Sequence, residues 1–277
     1  MVRKILVTTD MSKNSKAGLR FAIQLASQGS SKLIFYHVLH TPMPAAWSQE
    51  KYTAYIEQSV EETQTRLESF VREVCRRSEF APKTLECIVE FKPFVDSAII
   101  EFAVSRQVEC ICMSTNGAGR LRRIFGTNTS EVLLKSSIPV LVVPATYRRS
   151  RVSTILYASD FKALAPELKR VSKFAAATKA KLSIIHYKSP LEEDGIERRF
   201  ERVLKPYRAK RVKFYFEKYN MERSMSAQLK KAVEKFKPSV LALFTDQKRS
   251  IFEKIFPQSN SARLSFDSKR PILVFPK

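Results

Sequence analysis

Ile5-Leu-Val-Thr-Thr-Asp10 and Ile155-Leu-Tyr-Ala-Ser-Asp160 are one phrase written twice, 150 residues apart. Further matches keep the same order. Lys32-Leu33 and His37 pair with Lys181-Leu182 and His186 at an offset of 149. Ile124-Phe125-Gly126 pairs with Ile255-Phe256-Pro257 at 131, and Pro139-Val-Leu-Val-Val-Pro144 with Pro271-Ile-Leu-Val-Phe-Pro276 at 132. Ordered matches of this kind point to two tandem copies, residues 1–146 and 151–277, joined by the basic stretch Tyr147-Arg-Arg-Ser-Arg151. The falling offset implies a shorter middle in the second copy.

Each copy alternates strand and helix patterns. Ile5–Thr9 is a continuous apolar run ending at Asp10, which suits a parallel strand buried on both faces. Ser15–Ser27 places Leu19, Ala22, Ile23, Leu25 and Ala26 on a helical face. Strands are expected at Leu33–Leu39, Thr84–Phe91, Cys110–Met113 and Val140–Val143, with helices at Tyr52–Arg77, Val95–Arg106 and Ser130–Ser136. In the second copy, strands are expected near 154–158, 181–187, 211–217, 239–244 and 271–275. The alternation predicts an α/β chain: two tandem Rossmann-like domains, each a mostly parallel five-stranded sheet flanked by helices. Ligands of such sheets bind beyond the carboxyl ends of the strands, where strand order reverses. That rule brings Asp10, Val38 and the loop 114–127 around one crevice.

Composition narrows the class. The chain has 277 residues, 44% of them hydrophobic, which is enough for packed cores. Its apolar runs, such as Ile138–Ala145, are far below the roughly 20 residues needed to span a bilayer. The sequence opens directly into a strand-like run with no signal-peptide pattern. Four cysteines, all in the first half, are no disulfide framework. A cytoplasmic chain without membrane association is therefore expected. Only three histidines occur, which argues against His-based metal or catalytic clusters. Cys110 and Cys112 are two residues apart on a strand, so their thiols face the same way. They make half a zinc site at most and read as buried apolar cysteines. Residues 1–150 hold 20 basic and 14 acidic side chains, whereas residues 151–277 hold 29 and 13, a net +16. The second half is either a strongly solvated surface or one that attracts polyanions.

The loop Met113-Ser-Thr-Asn-Gly117-Ala-Gly119-Arg-Leu-Arg-Arg-Ile-Phe-Gly126-Thr127-Asn-Thr resembles the nucleotide-binding loop of the universal stress proteins, G-x2-G-x9-G-[ST]. The family's strand ending in Asp and its closing P-V-L-V-V strand flank it here, at Asp10 and Pro139–Val143. The resemblance spans both copies. Glycines let backbone N–H groups approach an anion, and a helix beginning at Gly126-Thr127 adds the positive end of its dipole. Thr127 and Thr129 offer hydroxyls, and Arg120, Arg122 and Arg123 offer charge. Two features depart from the pattern. Ser114 stands where the first glycine would be, and the loop is one residue short, with eight residues between Gly117 and Gly126.

The resemblance implies ATP as cofactor, with Asp10 on its ribose or adenine side and the Val38 backbone reading the adenine. Gly117, Gly126, Thr127 and Asn128 would contact the phosphates. Asp10 reads equally well as a cap on the following helix, and His37 and His186 as strand-end core residues. The counterpart loop, Thr245 to Asn260, contains no glycine. Pro257, which has no N–H to donate, replaces Gly126. ATP is therefore expected in the first copy alone. The family likeness further implies a regulatory protein rather than an enzyme, with ATP hydrolysis slow at most, and an intramolecular pseudo-dimer in which Val140–Val143 and Ile272–Phe275 associate. Homodimerisation stays open. The alternative is a nucleotide-free scaffold whose basic second domain docks an acidic protein or nucleic acid. The interleaved aromatics and charges of Lys213-Phe-Tyr-Phe-Glu-Lys-Tyr219 fit that alternative and fit a half-buried strand equally well.

Overall fold

A computed structural model describes residues 4–29, 31–78, 86–115, 127–188, 190, 195–210, 212–245 and 269–277. The chain divides into two compact units, Arg3–Arg149 and Ser150–Lys277.

In the first unit, strands β1 (Lys4–Thr8), β2 (Lys32–Leu39), β3 (Glu86–Phe91), β4 (Cys110–Ser114) and β5 (Val140–Val143) lie in the order 3-2-1-4-5, and each neighbouring pair is parallel. Ile5, Leu6 and Val7 of the central strand are all buried, as the unbroken apolar run predicts. Helices α1 (Lys16–Gly29), α2 (Gln49–Arg77), α3 (Val95–Ser105) and α4 (Thr127–Lys135) connect the strands. α1 contacts α2 and α3 contacts α4. Right-handed crossovers place these pairs on opposite faces of the sheet. Local chemistry sets the helix ends. The Ser48 hydroxyl accepts the Lys51 N–H at 3.2 Å to start α2, and Arg76 and Arg77 meet the negative end of its dipole. Leu67, Val71 and Val74 give α2 its buried stripe.

The second unit repeats the plan with β6 (Thr154–Ala158), β7 (Lys181–Lys188), β8 (Lys213–Lys218), β9 (Val240–Thr245) and β10 (Ile272–Pro276), in the order 10-9-6-7-8 and again parallel between neighbours. Its helices are α5 (Leu164–Thr178), α6 (Ile196–Leu204) and α7 (Met225–Phe236). The shorter middle implied by the offsets is visible. Where the first unit has the 29 residues of α2, the second has the nine of α6 and a 3-10 turn, Lys205–Lys210. No helix among the described residues is long and apolar enough to cross a membrane.

Two boundaries differ from the sequence reading in ways that bear on function. α4 starts at Thr127, the start that the loop reading gave, and not at Ser130, where the apolar pattern put it, so Asn128 and Thr129 lie in its first turn. β4 runs one residue further, to Ser114, because β5 pairs with it as far as Ser114–Val143.

Candidate functional site

The chain turns sharply after β1. Met11 adopts a left-handed conformation at φ 57°, and side chains rather than glycine hold it there. Thr9 Oγ1 accepts the Met11 N–H at 2.9 Å, and Asp10 Oδ1 accepts the Ser12 N–H at 3.0 Å. The Ser15 hydroxyl donates to the Ser12 carbonyl at 2.9 Å and lies 2.8 Å from Thr9 Oγ1. His37, on β2, donates from Nδ1 to the Thr9 carbonyl at 2.8 Å. Partial burial raises the Asp10 carboxyl, but hydrogen bonds from the Ser12 hydroxyl and N–H and from Ser15 outweigh it. The carboxyl is held below its usual range. No cation pairs with Asp10 among the described residues.

Ser114 has a structural use that explains its departure from glycine. Its hydroxyl accepts the Gly18 N–H at 2.7 Å and donates to the Ser15 carbonyl at 3.0 Å. The end of β4 is thereby tied to the first turn of α1, where the Gly18 N–H also reaches the Ser15 carbonyl at 3.1 Å. Gly18 permits the approach, since a Cβ there would stand 2.8 Å from Ser114 Oγ.

These elements enclose a cleft of ≈ 330 Å³ at the carboxyl ends of β1, β2 and β4, where strand order reverses. Asp10, Val38 and Asn128, three of the residues singled out from the sequence, line it together. Thr129, buried in the first turn of α4, lines it too. Thr127 begins that helix. Gly117 and Gly126, with Arg120, Arg122 and Arg123, lie outside the described residues. Ser114, the first residue of the loop placed at the crevice from the sequence, lines it; the sequence reading missed Thr9, Ser15 and Tyr36 as lining residues and treated His37 as core. His37 is half-buried and lines the cleft. The signal for it was present, because His37 and His186 recur at matching places in the repeat.

The second copy of the turn has the same geometry. Phe161 is left-handed at φ 62°, Ser159 Oγ accepts its N–H at 3.2 Å, and Asp160 Oδ1 accepts the Lys162 N–H at 3.1 Å. His186 Nδ1 donates to the Ser159 carbonyl at 2.9 Å. The surroundings differ. Phe161 stacks on His186 with ring centroids 3.9 Å apart and joins Phe200, Phe214 and Phe216. Lys277 Nζ lies 2.8 Å from Asp160 Oδ2.

Cys110 and Cys112 are buried, and desolvation pushes the Cys110 thiol up to about 12 and Cys112 well above the usual thiol range. Cys112 Sγ donates to the Gly18 carbonyl at 3.5 Å, a packing role under α1.

The family model described as Universal stress protein family matches residues 1–144. The chain belongs to the universal stress protein family. Among solved structures, a universal stress protein from Archaeoglobus fulgidus DSM 4304 is similar over 100% of this chain and 99% of its own, at 18% identity and a TM-score of 0.70. A protein from Pseudomonas aeruginosa UCBPP-PA14 is similar over 99% of this chain and 93% of its own, at 13% identity and a TM-score of 0.59. At such identities the likeness speaks for the fold alone. No curated protein matches the chain in sequence. Within this universal stress protein the turn after the first strand recurs in both units, and among the described residues its carboxylate lacks an ion-pair partner in the first unit only.

Proposed function

We propose that this universal stress protein is a regulatory binding protein rather than an enzyme, and that its first domain alone holds an adenine nucleotide, ATP. The observation that carries the reading is the convergence of Asp10, Val38 and the first turn of α4 on one cleft at the strand-order reversal. A helix start directed at such a cleft suits phosphates, through N–H groups without intrahelical partners and the dipole. In this reading Asp10 binds the ribose or adenine side and the Val38 backbone reads the adenine. Gly117, Gly126, Thr127 and Asn128 take the phosphates. The second domain lacks the loop glycines, and its Asp160 is engaged by Lys277.

Mass spectrometry of the freshly purified, denatured protein tests the proposal. Released ATP or AMP is expected. Protein that releases no nucleotide and shows no heat of binding when titrated with ATP would overturn it. The net charge of +16 on residues 151–277 favours a second activity, attraction of a polyanion to the second domain.

A further inference from the structure

The two domains differ sharply where α3 and α7 meet their sheets. The left-handed residues that follow these helices, Gln107 (φ 52°) and Lys237 (φ 44°), are 130 positions apart, as are the N-caps Phe94 and Ser224. Phe102 of α3 therefore corresponds to Ala232 of α7. Pairing with the central strands, Thr8 to Tyr36 and Ala158 to Ile185, makes Tyr36 correspond to Ile185. In the first domain Tyr36 stacks on Phe102 with centroids 4.3 Å apart, and its hydroxyl donates to Glu90 at 2.9 Å. In the second domain two aliphatic side chains replace both rings. A pocket of ≈ 360 Å³ opens there, with Ile185 and Ala232 in its lining.

The pocket is aromatic and cationic. Tyr187 and Tyr219 line it, and so do the exposed cations Lys218, Arg223 and Lys231. Among the described residues none of these three cations is paired with a carboxylate. The pocket's own carboxylate, Glu217, is held by Lys235 at 2.6 Å. The turn that carries Tyr219 and Arg223 is pinned to α7 by the buried Gln228. Its Oε1 accepts the Asn220 N–H at 2.9 Å, and its Nε2 donates to the carbonyls of Asn220 at 3.1 Å and Arg223 at 3.2 Å. The Tyr187 hydroxyl donates to the Gln228 carbonyl at 2.8 Å. The Tyr187 ring and the backbone of the turn are thus held in place before any ligand arrives, which lowers the ordering cost of binding.

We propose that this pocket binds single-stranded nucleic acid, with one base inside it against the tyrosine rings and the flanking phosphates on Lys218, Arg223 and Lys231. A polymer is favoured over a small phosphorylated ligand because the domain's excess of 29 basic over 13 acidic residues far exceeds what one ligand would neutralise. A single strand is favoured over a duplex because only an unstacked base can enter a pocket and lie on a ring. The site is separate from the first-domain cleft and stands whether or not ATP binds there.

The test is fluorescence anisotropy of a labelled (dT)15 with the full chain, at several salt concentrations, with circular dichroism as the folding control. Wild type should bind at low salt and weaken as salt rises. Each lost phosphate contact flattens the log–log slope by about 0.7, so Arg223→Gln combined with Lys231→Gln should flatten it by about 1.4. Tyr219→Ala should weaken binding by about 5- to 150-fold, the range for losing one base stack, and Tyr219→Phe should not. Ala232→Phe, which restores one of the two rings of the first domain's stack, should weaken it comparably. Heparin, a polyanion without bases, should bind wild type and Tyr219→Ala equally. The proposal is overturned if wild type does not bind, or if a duplex binds better than the single strand. It is also overturned if folded Tyr219→Ala binds like wild type, and that variant decides the matter should Ala232→Phe not fold.

Discussion

Lys277 Nζ sits 2.8 Å from Asp160 Oδ2 and 3.8 Å from Glu167 Oε1. One cation thus serves two carboxylates at the mouth of the second domain's central strand. In the repeat, Lys277 follows Pro271–Pro276 as Ala145 follows Pro139–Pro144, so the first domain has a methyl group at the corresponding place. Asp160 is tied down by the chain itself, whereas Asp10 remains available.

That asymmetry predicts one nucleotide per chain. Calorimetric titration of the full protein with ATP should give a stoichiometry of about one. Lys277→Gln should leave it unchanged, since Pro257 still has no N–H to offer a phosphate. Two equivalent sites would contradict the proposed division between the domains.

Lys277 should also contribute to stability in a pH-dependent way. Glu167 is buried, and desolvation raises its carboxyl above the ordinary glutamate value. The Tyr157 hydroxyl and Lys277 offset that rise in part, while Asp160 adds to it. A carboxyl raised on folding keeps its proton to higher pH in the native state than in the unfolded state. Stability therefore falls as pH climbs from the unfolded value through the folded one. Lys277→Gln leaves two carboxylates facing each other. It should cost about 1–3 kcal/mol, between an exposed pair and a buried one, and more at pH 7 than at pH 4. Glu167→Gln should flatten the decline. Urea unfolding across that pH range measures both.

Ser114 and Gly18 form a second measurable pair. Gly18→Ala drives a Cβ to 2.8 Å from Ser114 Oγ and should destabilise by about 1–3 kcal/mol, an overpacking cost. Ser114→Ala should cost only about 1 kcal/mol, the worth of an ordinary hydrogen bond, because the Gly18 N–H keeps the Ser15 carbonyl at 3.1 Å. With the hydroxyl gone, Gly18→Ala should become milder. A double-mutant cycle by chemical denaturation reads the coupling, and simple additivity would show that the two groups do not oppose each other.

Within the proposed nucleotide site, Gly126→Gln should abolish ATP binding while the domain still folds, because a side chain would fill the path between backbone N–H groups and phosphate. Asp10→Ala should weaken binding less, by about 1.5–3 kcal/mol, the worth of a hydrogen bond to a charged group. Fluorescence titration with a labelled ATP analogue ranks the variants. Wild-type affinity in a well-folded Gly126→Gln protein would remove the loop from the site.

Much of the fold was legible because it rests on local, periodic chemistry. Ile5–Thr9 and Val140–Val143 read as buried strands from unbroken apolar runs, and both are strands, at Lys4–Thr8 and Val140–Val143. The repeated phrase ending at Asp10 and Asp160 exposed the duplication, and parallel order then placed Asp10 and Val38 at one crevice. Partners chosen by distant packing were not legible. Ser114 read as a missing glycine, yet its hydroxyl is matched to a helix turn 96 residues earlier. His186 read as core and is buried, but the reading did not show that it and the half-buried His37 clamp the turns at Ser159 and Thr9.

Residue order alone specifies two copies of an α/β domain, which of them keeps the glycine-rich loop, and where the positive charge gathers. Those are properties of residue type and spacing along the chain. It took the packing of helices on sheets to show that Asp160 is paired with Lys277, and that a basic, tyrosine-lined pocket lies in the second domain at the place of the first domain's Tyr36–Phe102 stack. Each depends on residues far apart in sequence meeting in space: Lys277 reaching Asp160 across 117 positions, and Ala232 and Ile185 lining one pocket at the place where Phe102 stacks on Tyr36 in the first domain. Hydropathy and spacing carry no record of such a meeting, because it is set by how helix and sheet pack.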